Sequence, residues 1–262
     1  LITRTRHPFK NFLINLYIKI FKVNMAECQK SKAEDFETFC DFFTRKLKKN
    51  IHIIDKKKDS IVSSCDGKIL EYGKIKDNTM VQFKGMTMNI NNLVGNDKDL
   101  ENRFINGSYV TIYLSPRDYH RVHMPLQGRL LKTIHLPGRL YSVAQHAVKS
   151  IKNLYTRNER LICSFDNSSM LFSVVFIGAI NVSSIEVTWK GEASPPLPKK
   201  DIRTDYKRKK IVINKGEELG MFKTGSTIIL LFDKKVELSN DLKKGKPIRV
   251  GNRIGNITKS IK

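Results

Sequence analysis

The chemistry in this 262-residue sequence concentrates in three short stretches. The first is "GMFKTGSTIILLF", residues 220–232, where Gly225, Ser226 and Thr227 stand at the mouth of a very apolar strand. A strand that only filled a core has no need of Gly-Ser-Thr there. The hydrolase arrangement G-x-S-x-G is absent. A serine directly after glycine suits a different reaction, in which its hydroxyl attacks the carbonyl of the preceding residue, where no side chain stands in the way. The peptide bond becomes an ester. β-Elimination of the ester leaves dehydroalanine, which hydrolyses to a pyruvoyl group and ammonia. The reaction needs a base for the Ser226 proton and a carboxylate to orient that base, the logic of a Ser-His-Asp triad turned on its own backbone.

The other two stretches hold groups of those kinds. In "LSPRDYHRVHMP", His120 and His123 are two of only six histidines, and Pro116 and Pro125 bracket them, which argues against a long helix. Three residues apart on a regular strand, the two rings face opposite ways and have different jobs, unless a bulge or turn brings them together. A metal pair is a rival reading, but no third ligand stands at a supporting spacing; a purely structural histidine pair is another. In "SSCDGKI", Asp66-Gly67 marks a turn before a strand, in itself an ordinary turn signal.

These groups need elements to position them. Residues 8–23, "PFKNFLINLYIKIFKV", show a helical pattern, with Asn11, Asn15, Lys19 and Lys22 on one edge and Phe, Leu, Ile and Tyr over the rest. Such a helix suits a membrane interface, with Phe12 and Leu16 inserted and Lys19 and Lys22 at the headgroups; packing on its own domain is the other reading. A second helix is expected from Ser31, with Ser31 and Glu34 as a capping box and Phe36, Cys40, Phe43 and Leu47 as its apolar stripe. Strands are expected at 68–75, 108–114, 130–136, 171–180, 183–189, 211–213 and 227–232, with a short helix near 140–150. The Pro- and Lys-rich segment 191–210 reads as an exposed loop. The expected fold is α+β: one β-rich domain of mostly antiparallel sheets behind N-terminal amphipathic helices, with 1–50 a helical membrane-docking region and 51–262 the catalytic domain.

The charge is +23, from 48 Lys and Arg against 25 Asp and Glu, which calls for an anionic partner: nucleic acid, anionic lipid or an acidic substrate. The four cysteines are scattered, with no C-x-x-C, so neither a zinc site nor a disulfide framework is suggested. The longest apolar run, 171–182, is too short to span a bilayer. The sequence begins at Leu1 rather than Met, which sets the expectation of residues upstream, where any targeting peptide would lie.

Taken together, the segments resemble the phosphatidylserine decarboxylases of bacteria and mitochondria. "FETFCDFFTRKLK" resembles the family's F-F-x-R-x-L segment, "CDGKI" its A-D-G turn, and "YLSPRDYHRVHMP" its histidine string. "PGRLYSV", "LYTRNERLIC" and "IGAINVSSIEVTW" follow in the expected order, and "KGEELGMFKTGSTIILLF" resembles the signature of the self-cleavage site. The resemblance runs from about residue 8 to 250. Departures are Thr224 before Gly225, Cys65 before Asp66 and Ser183 in the "SSIE" segment; none removes a reacting group.

The resemblance implies autocatalytic cleavage between Gly225 and Ser226, giving a β subunit of residues 1–225 and an α subunit of 226–262 that begins with a pyruvoyl group made from Ser226. It assigns Asp66, His123 and Ser226 to the processing triad and His120 to the decarboxylation phase. Phosphatidylserine forms a Schiff base with the pyruvoyl group, loses carbon dioxide and leaves as phosphatidylethanolamine. No added metal is implied. A homodimer on an anionic membrane surface is implied, peripheral to a bacterial inner membrane, a mitochondrial inner membrane or another organelle, without nucleic acid. Composition alone favours a rival, a nucleic-acid-binding protein using the Lys-rich segments 45–58 and 199–210, but no RNA-binding fingerprint or helix-turn-helix signature is present. An inactive membrane-binding relative and a pyruvoyl decarboxylase of soluble amino acids are further rivals; the intact Asp66, His120, His123 and Ser226 oppose the former, and the 8–23 helix opposes the latter.

Overall fold

The computed structural model describes residues 6–180, 185–193, 200–223 and 226–258. The apolar run after Ser226 becomes the strand Ser226–Phe232, all seven residues of which are buried. β-Branched and aliphatic side chains on both faces suit a strand covered on both sides. It pairs antiparallel with Ser108–Leu114 on one edge, Ser226 opposite Leu114, and with Leu171–Ile177 on the other. From this centre the largest sheet extends through Arg160–Asp166, Gly128–Leu136 and Ile202–Asp205 on one side, and through Gly67–Lys74 and Pro247–Ile248 on the other; Val212–Ile213 also pairs with Gly128–Leu136.

A second sheet orders Gly191–Glu192, Ile185–Val187, Glu218–Phe222 and Arg121–His123. A three-stranded sheet joins Ser60–Val62, Arg253–Ile257 and Val236–Leu238, and a hairpin joins Thr79–Phe83 to Met86–Asn89. Every ladder between these strands is antiparallel. One continuous core spans the sheets, while a separate small cluster of Ile14, Val23, Ala33, Phe36 and Phe42 holds the N-terminal segment together.

Seven expected strands have counterparts; of the one at 183–189 the described part is Ile185–Val187, which ends in a turn at Thr188, and 181–184 lie outside the described residues. The segment 191–210 is not simply a loop: Ile202–Asp205 pairs with Gly128–Leu136 in the main sheet, and 194–199 lie outside the described residues. The helix expected from Ser31 is also corrected. Residues Ala33–Asp35 make one 3-10 turn and Phe39–Phe43 a short α-helix. The cap forms from Asp35, which accepts from the Lys32 backbone N–H, and from Thr38, which accepts from the Asp41 N–H, in place of Ser31 and Glu34. Phe42, outside the expected stripe, is fully buried. The first helix runs Lys10–Phe21. The short helix expected near 140–150 is Gln145–Ser150, followed by Leu154–Arg157.

Candidate functional site

The strand Glu218–Phe222 leads into the Ser226 strand and carries the histidine segment on its flank. Met221 pairs with Arg121, Gly220 with Val122 and Glu218 with His123, with a register shift between Glu218 and Gly220. The Arg121–Glu218 ion pair at 2.7 Å reinforces the ladder. Gly220 is required by the next strand, since a Cβ there would meet the Glu186 carbonyl at 2.2 Å. On the other side, the His123 N–H donates to Ser64 O at 2.7 Å, which fastens the strand to the turn holding Asp66.

His120 precedes this three-residue strand, so the rule of alternating faces does not govern it. The ring is fully buried, 4.1 Å from the Phe43 ring. Its Nδ1 lies 2.8 Å from Asp118 O; a carbonyl only accepts, so Nδ1 carries the hydrogen. Nε2 is then a buried lone pair with no hydrogen-bond partner among the described residues. Burial, aided by the nearby Arg45 charge, pushes the His120 pKa down to about 3.

His123 takes the same tautomer. Nδ1–H donates to Gly216 O at 2.9 Å, and Nε2 lies 3.2 Å from the Tyr119 hydroxyl, which donates to it. Gly216 has φ +82°, a conformation open to glycine and strained for other residues. Burial lowers the His123 pKa, opposed by the bond to Gly216 and assisted by His52.

Asp66 is buried, but its direct partner is His52 rather than His123. The His52 Nε2–H donates to the carboxylate, 2.8 Å from Oδ1 and 3.0 Å from Oδ2. The Val250 N–H adds a bond to Oδ1 at 2.8 Å, and Arg249 Nε lies 3.8 Å from Oδ2. The His52 ring sits 6.2 Å from the His123 ring and 5.4 Å from the Tyr119 ring. The structure thus gathers Asp66, His52, Tyr119 and His123 into one cluster. Ser226 Oγ is fully buried and, like Thr227 Oγ1, has no hydrogen-bond partner among the described residues, so no bond joins Ser226 to His123. Gly225 and Thr224 lie outside the described residues.

The N-terminal segment braces the loop between Leu114 and His120. The Tyr17 hydroxyl donates to Pro116 O at 3.0 Å. Arg45 Nη2 donates to Arg117 O at 2.7 Å and Asp118 O at 3.0 Å, so Arg45 and His120 share the Asp118 carbonyl. Of the first helix, Ile14 is fully buried while Phe12 is 65 % exposed, Leu16 41 % and Ile20 61 %, beside exposed Lys19 and Lys22. Asn11, expected on the polar edge, turns partly inward. Among the described residues no helix is long and apolar enough to cross a membrane, and no group of three or more His, Cys, Asp or Glu could hold a metal ion.

Sequence reasoning missed His52, Tyr119 and Arg45. His52 was available as one of six histidines, Tyr119 stands inside the histidine string, and Arg45 stands in "DFFTRKL", where it reads as a helix-ending charge.

A profile of the phosphatidylserine decarboxylase family matches residues 39–256. A Methylococcus capsulatus protein named phosphatidylserine decarboxylase proenzyme is 44 % identical over 230 residues, 87 % of this chain and 80 % of the relative. Proteins of the same name from Alcanivorax borkumensis and Glaesserella parasuis are each 40 % identical, the first over 98 % of this chain and 90 % of the relative, the second over 94 % and 84 %.

Proposed function

The chain belongs to the phosphatidylserine decarboxylase family, and on that premise we infer that it is a proenzyme that cuts itself between Gly225 and Ser226 and then converts phosphatidylserine to phosphatidylethanolamine and carbon dioxide. The observation that carries this reading is Ser226 Oγ, buried at the entry of the central strand with no hydrogen-bond partner among the described residues. An unpaired buried hydroxyl costs about 1–3 kcal/mol, and at Ser226 it falls on the serine that directly follows a glycine at the mouth of the strand.

His123 has the properties of the processing base. Gly216 fixes its hydrogen on Nδ1 and leaves Nε2 as acceptor, and the lowered pKa keeps that nitrogen unprotonated at neutral pH. Taking the Ser226 proton requires Nε2 to exchange Tyr119 for the serine hydroxyl. Asp66 supports the cluster electrostatically and through His52. As the Ser226 oxygen bonds to the Gly225 carbonyl carbon, the peptide C–N bond breaks. The resulting ester bond to Ser226 Oγ is then eliminated, leaving residues 1–225 with a free carboxylate and residue 226 as the precursor of the pyruvoyl group.

The residue that would carry that group fits it: Ser226 is fully buried at the start of the central strand, and its Oγ has no hydrogen-bond partner among the described residues. When present, a pyruvoyl ketone supplies a sink for the electron pair left as carbon dioxide departs. His120 then acts as a shuttle. Its Nε2, a lone pair without a hydrogen-bond partner among the described residues, is the group assigned to carry a proton to the α-carbon, and burial, which favours the neutral ring, means that this proton is one taken up during the reaction.

The exposed apolar stripe with Lys19 and Lys22 supports docking on an anionic bilayer, where each basic residue contributes about 1 kcal/mol. The 1–50 docking region, the 51–262 catalytic domain and a homodimer complete the proposal.

Intact-mass spectrometry tests it. The wild-type protein should yield two chains, the smaller starting with pyruvoyl at 226, and Ser226→Ala should yield one uncut, inactive chain. Normal processing of Ser226→Ala would overturn the assignment of the cut.

A further inference from the structure

Between the end of the first helix and the Asp66 turn lies a cleft of about 290 Å3, whose lining includes Lys22, Arg45, Asp66, Arg117, Asp118 and Arg249. We propose that this cleft seats the phosphodiester of the lipid headgroup, with Arg45 as its floor; the proposal rests on the reading of the chain as a phosphatidylserine decarboxylase.

The charges do not balance within the cleft. Its three carboxylates each have a basic neighbour: Glu27 pairs with Arg249, Asp118 lies 4.0 Å from Arg117, and Asp66 takes His52, with Arg249 at 3.8 Å. Lys22 and Arg45 remain, and among the described residues neither has a carboxylate in an ion pair. Arg45 is the telling one. It is 4 % exposed, and both hydrogens of Nη2 go to backbone carbonyls, while Nε and Nη1 are buried without a hydrogen-bond partner. The Phe42 ring, 5.6 Å from its carbon centre, and the Cys28 thiol are its other neighbours. A buried guanidinium with no anion is costly, and an anionic ligand removes that cost.

The location matches the substrate. Lys22 caps the helix with the exposed apolar face, so the cleft begins where a docked lipid would present its headgroup. Asp118, on the cleft wall, has a backbone carbonyl that accepts from both Arg45 and His120, which ties the cleft to the histidine segment. In phosphatidylserine only an oxygen and a methylene separate phosphorus from the reacting carbon. Of the two anions on this headgroup, the carboxylate is the wrong partner. It loses its charge on leaving as carbon dioxide, and a guanidinium bound to it would stabilise the ground state over the transition state. The phosphodiester keeps its charge throughout.

The test is binding of soluble probes to the full-length wild-type protein, followed by NMR titration. Glycerophosphoethanolamine carries the phosphodiester and no carboxylate, serine carries the carboxylate alone, and inorganic phosphate carries neither lipid feature. Glycerophosphoethanolamine should bind, serine should not, and Arg45→Lys should weaken binding about tenfold or more. Lys22→Ala and Arg117→Gln, on exposed residues, keep the test valid if Arg45→Lys misfolds, and each should weaken binding several-fold. In vesicle assays Lys22→Ala and Arg117→Gln should raise KM by a larger factor than they lower kcat. Three results overturn the proposal: unchanged probe binding in Lys22→Ala and Arg117→Gln, serine binding in preference to glycerophosphoethanolamine, or inorganic phosphate binding as tightly as glycerophosphoethanolamine, which would mark a free-phosphate site. Wild-type protein that binds the probe yet never decarboxylates would sink the enzymatic reading and leave the anion site standing.

Discussion

His120 and His123 share one string of sequence, one tautomer and a downward pKa shift, yet their free nitrogens face different partners. His123 Nε2 meets Tyr119, whereas His120 Nε2 has no hydrogen-bond partner among the described residues. The proposed division of labour between them rests on that contrast. His120→Gln, which keeps volume in a fully buried site, should still split into two subunits but lose about 10²–10⁴-fold in decarboxylation. A variant that stays uncut would move His120 into processing, and near-normal turnover would make it structural. Both histidines also link stability to pH. Their folded pKa values lie below the unfolded value of about 6.5, so the unfolded chain binds more protons as pH falls through that value. The stabilisation is complete above about pH 6.5 and is lost progressively toward about pH 3. Between pH 7.5 and 5 most carboxylates stay ionised in both states, so the histidines dominate there. The thermal midpoint should fall over that interval, and less steeply in His120→Gln; parallel profiles would show that His120 does not carry the effect.

At the scale of elements, the first helix presents apolar residues where a surface helix normally presents polar ones. Replacing Phe12, Leu16 and Ile20 together with serine removes exposed groups, so the fold should hold, while each loses up to about 1.5–3 kcal/mol of burial in the lipid interface. Co-sedimentation with anionic vesicles should drop more than tenfold with an unchanged thermal midpoint; undiminished binding would place membrane contact elsewhere. This helix was legible from its periodicity because its pattern is local, although the same pattern left open which face would pack. The strands at 108–114 and 227–232 were legible from short apolar runs for the same reason. Arg160–Asp166 was missed because its apolar run is short, broken by Ser164 and preceded by Asn158, Glu159 and Arg160, and Ile202–Asp205 because it lies in a Pro- and Lys-rich stretch and pairs only through the register of Gly128–Leu136. Asp66, His120, His123 and Ser226 were legible as residue types. That Asp66 meets His52, and that Arg45 shares a carbonyl with His120, are facts of chain crossing that no local pattern carries.

For the whole molecule, a charge of +23 supplies long-range attraction to an anionic bilayer, and the apolar stripe supplies short-range adhesion. The two respond differently to salt. Raising ionic strength shrinks the Debye length from about 10 Å at 0.1 M to about 3 Å at 1 M. Vesicle binding by wild-type protein should therefore weaken with salt and level off at a residue of apolar binding, and the serine triple variant should lose that residue. Binding insensitive to salt would remove the electrostatic role.

The central strand also sets the order of events in the protein's life. Ser226–Phe232 is laced between Ser108–Leu114 and Leu171–Ile177 along nearly its whole length. A cut just before Ser226 would leave the short piece locked in place, so the two fragments travel as one particle. The uncut chain alone would carry the full folding instructions, since afterwards the middle strand belongs to a separate molecule and re-forming the sheet becomes a meeting of two bodies. Maturation then works as a ratchet: assembly first, scission second, and a finished protein whose survival depends on how slowly it comes apart rather than on its capacity to fold again.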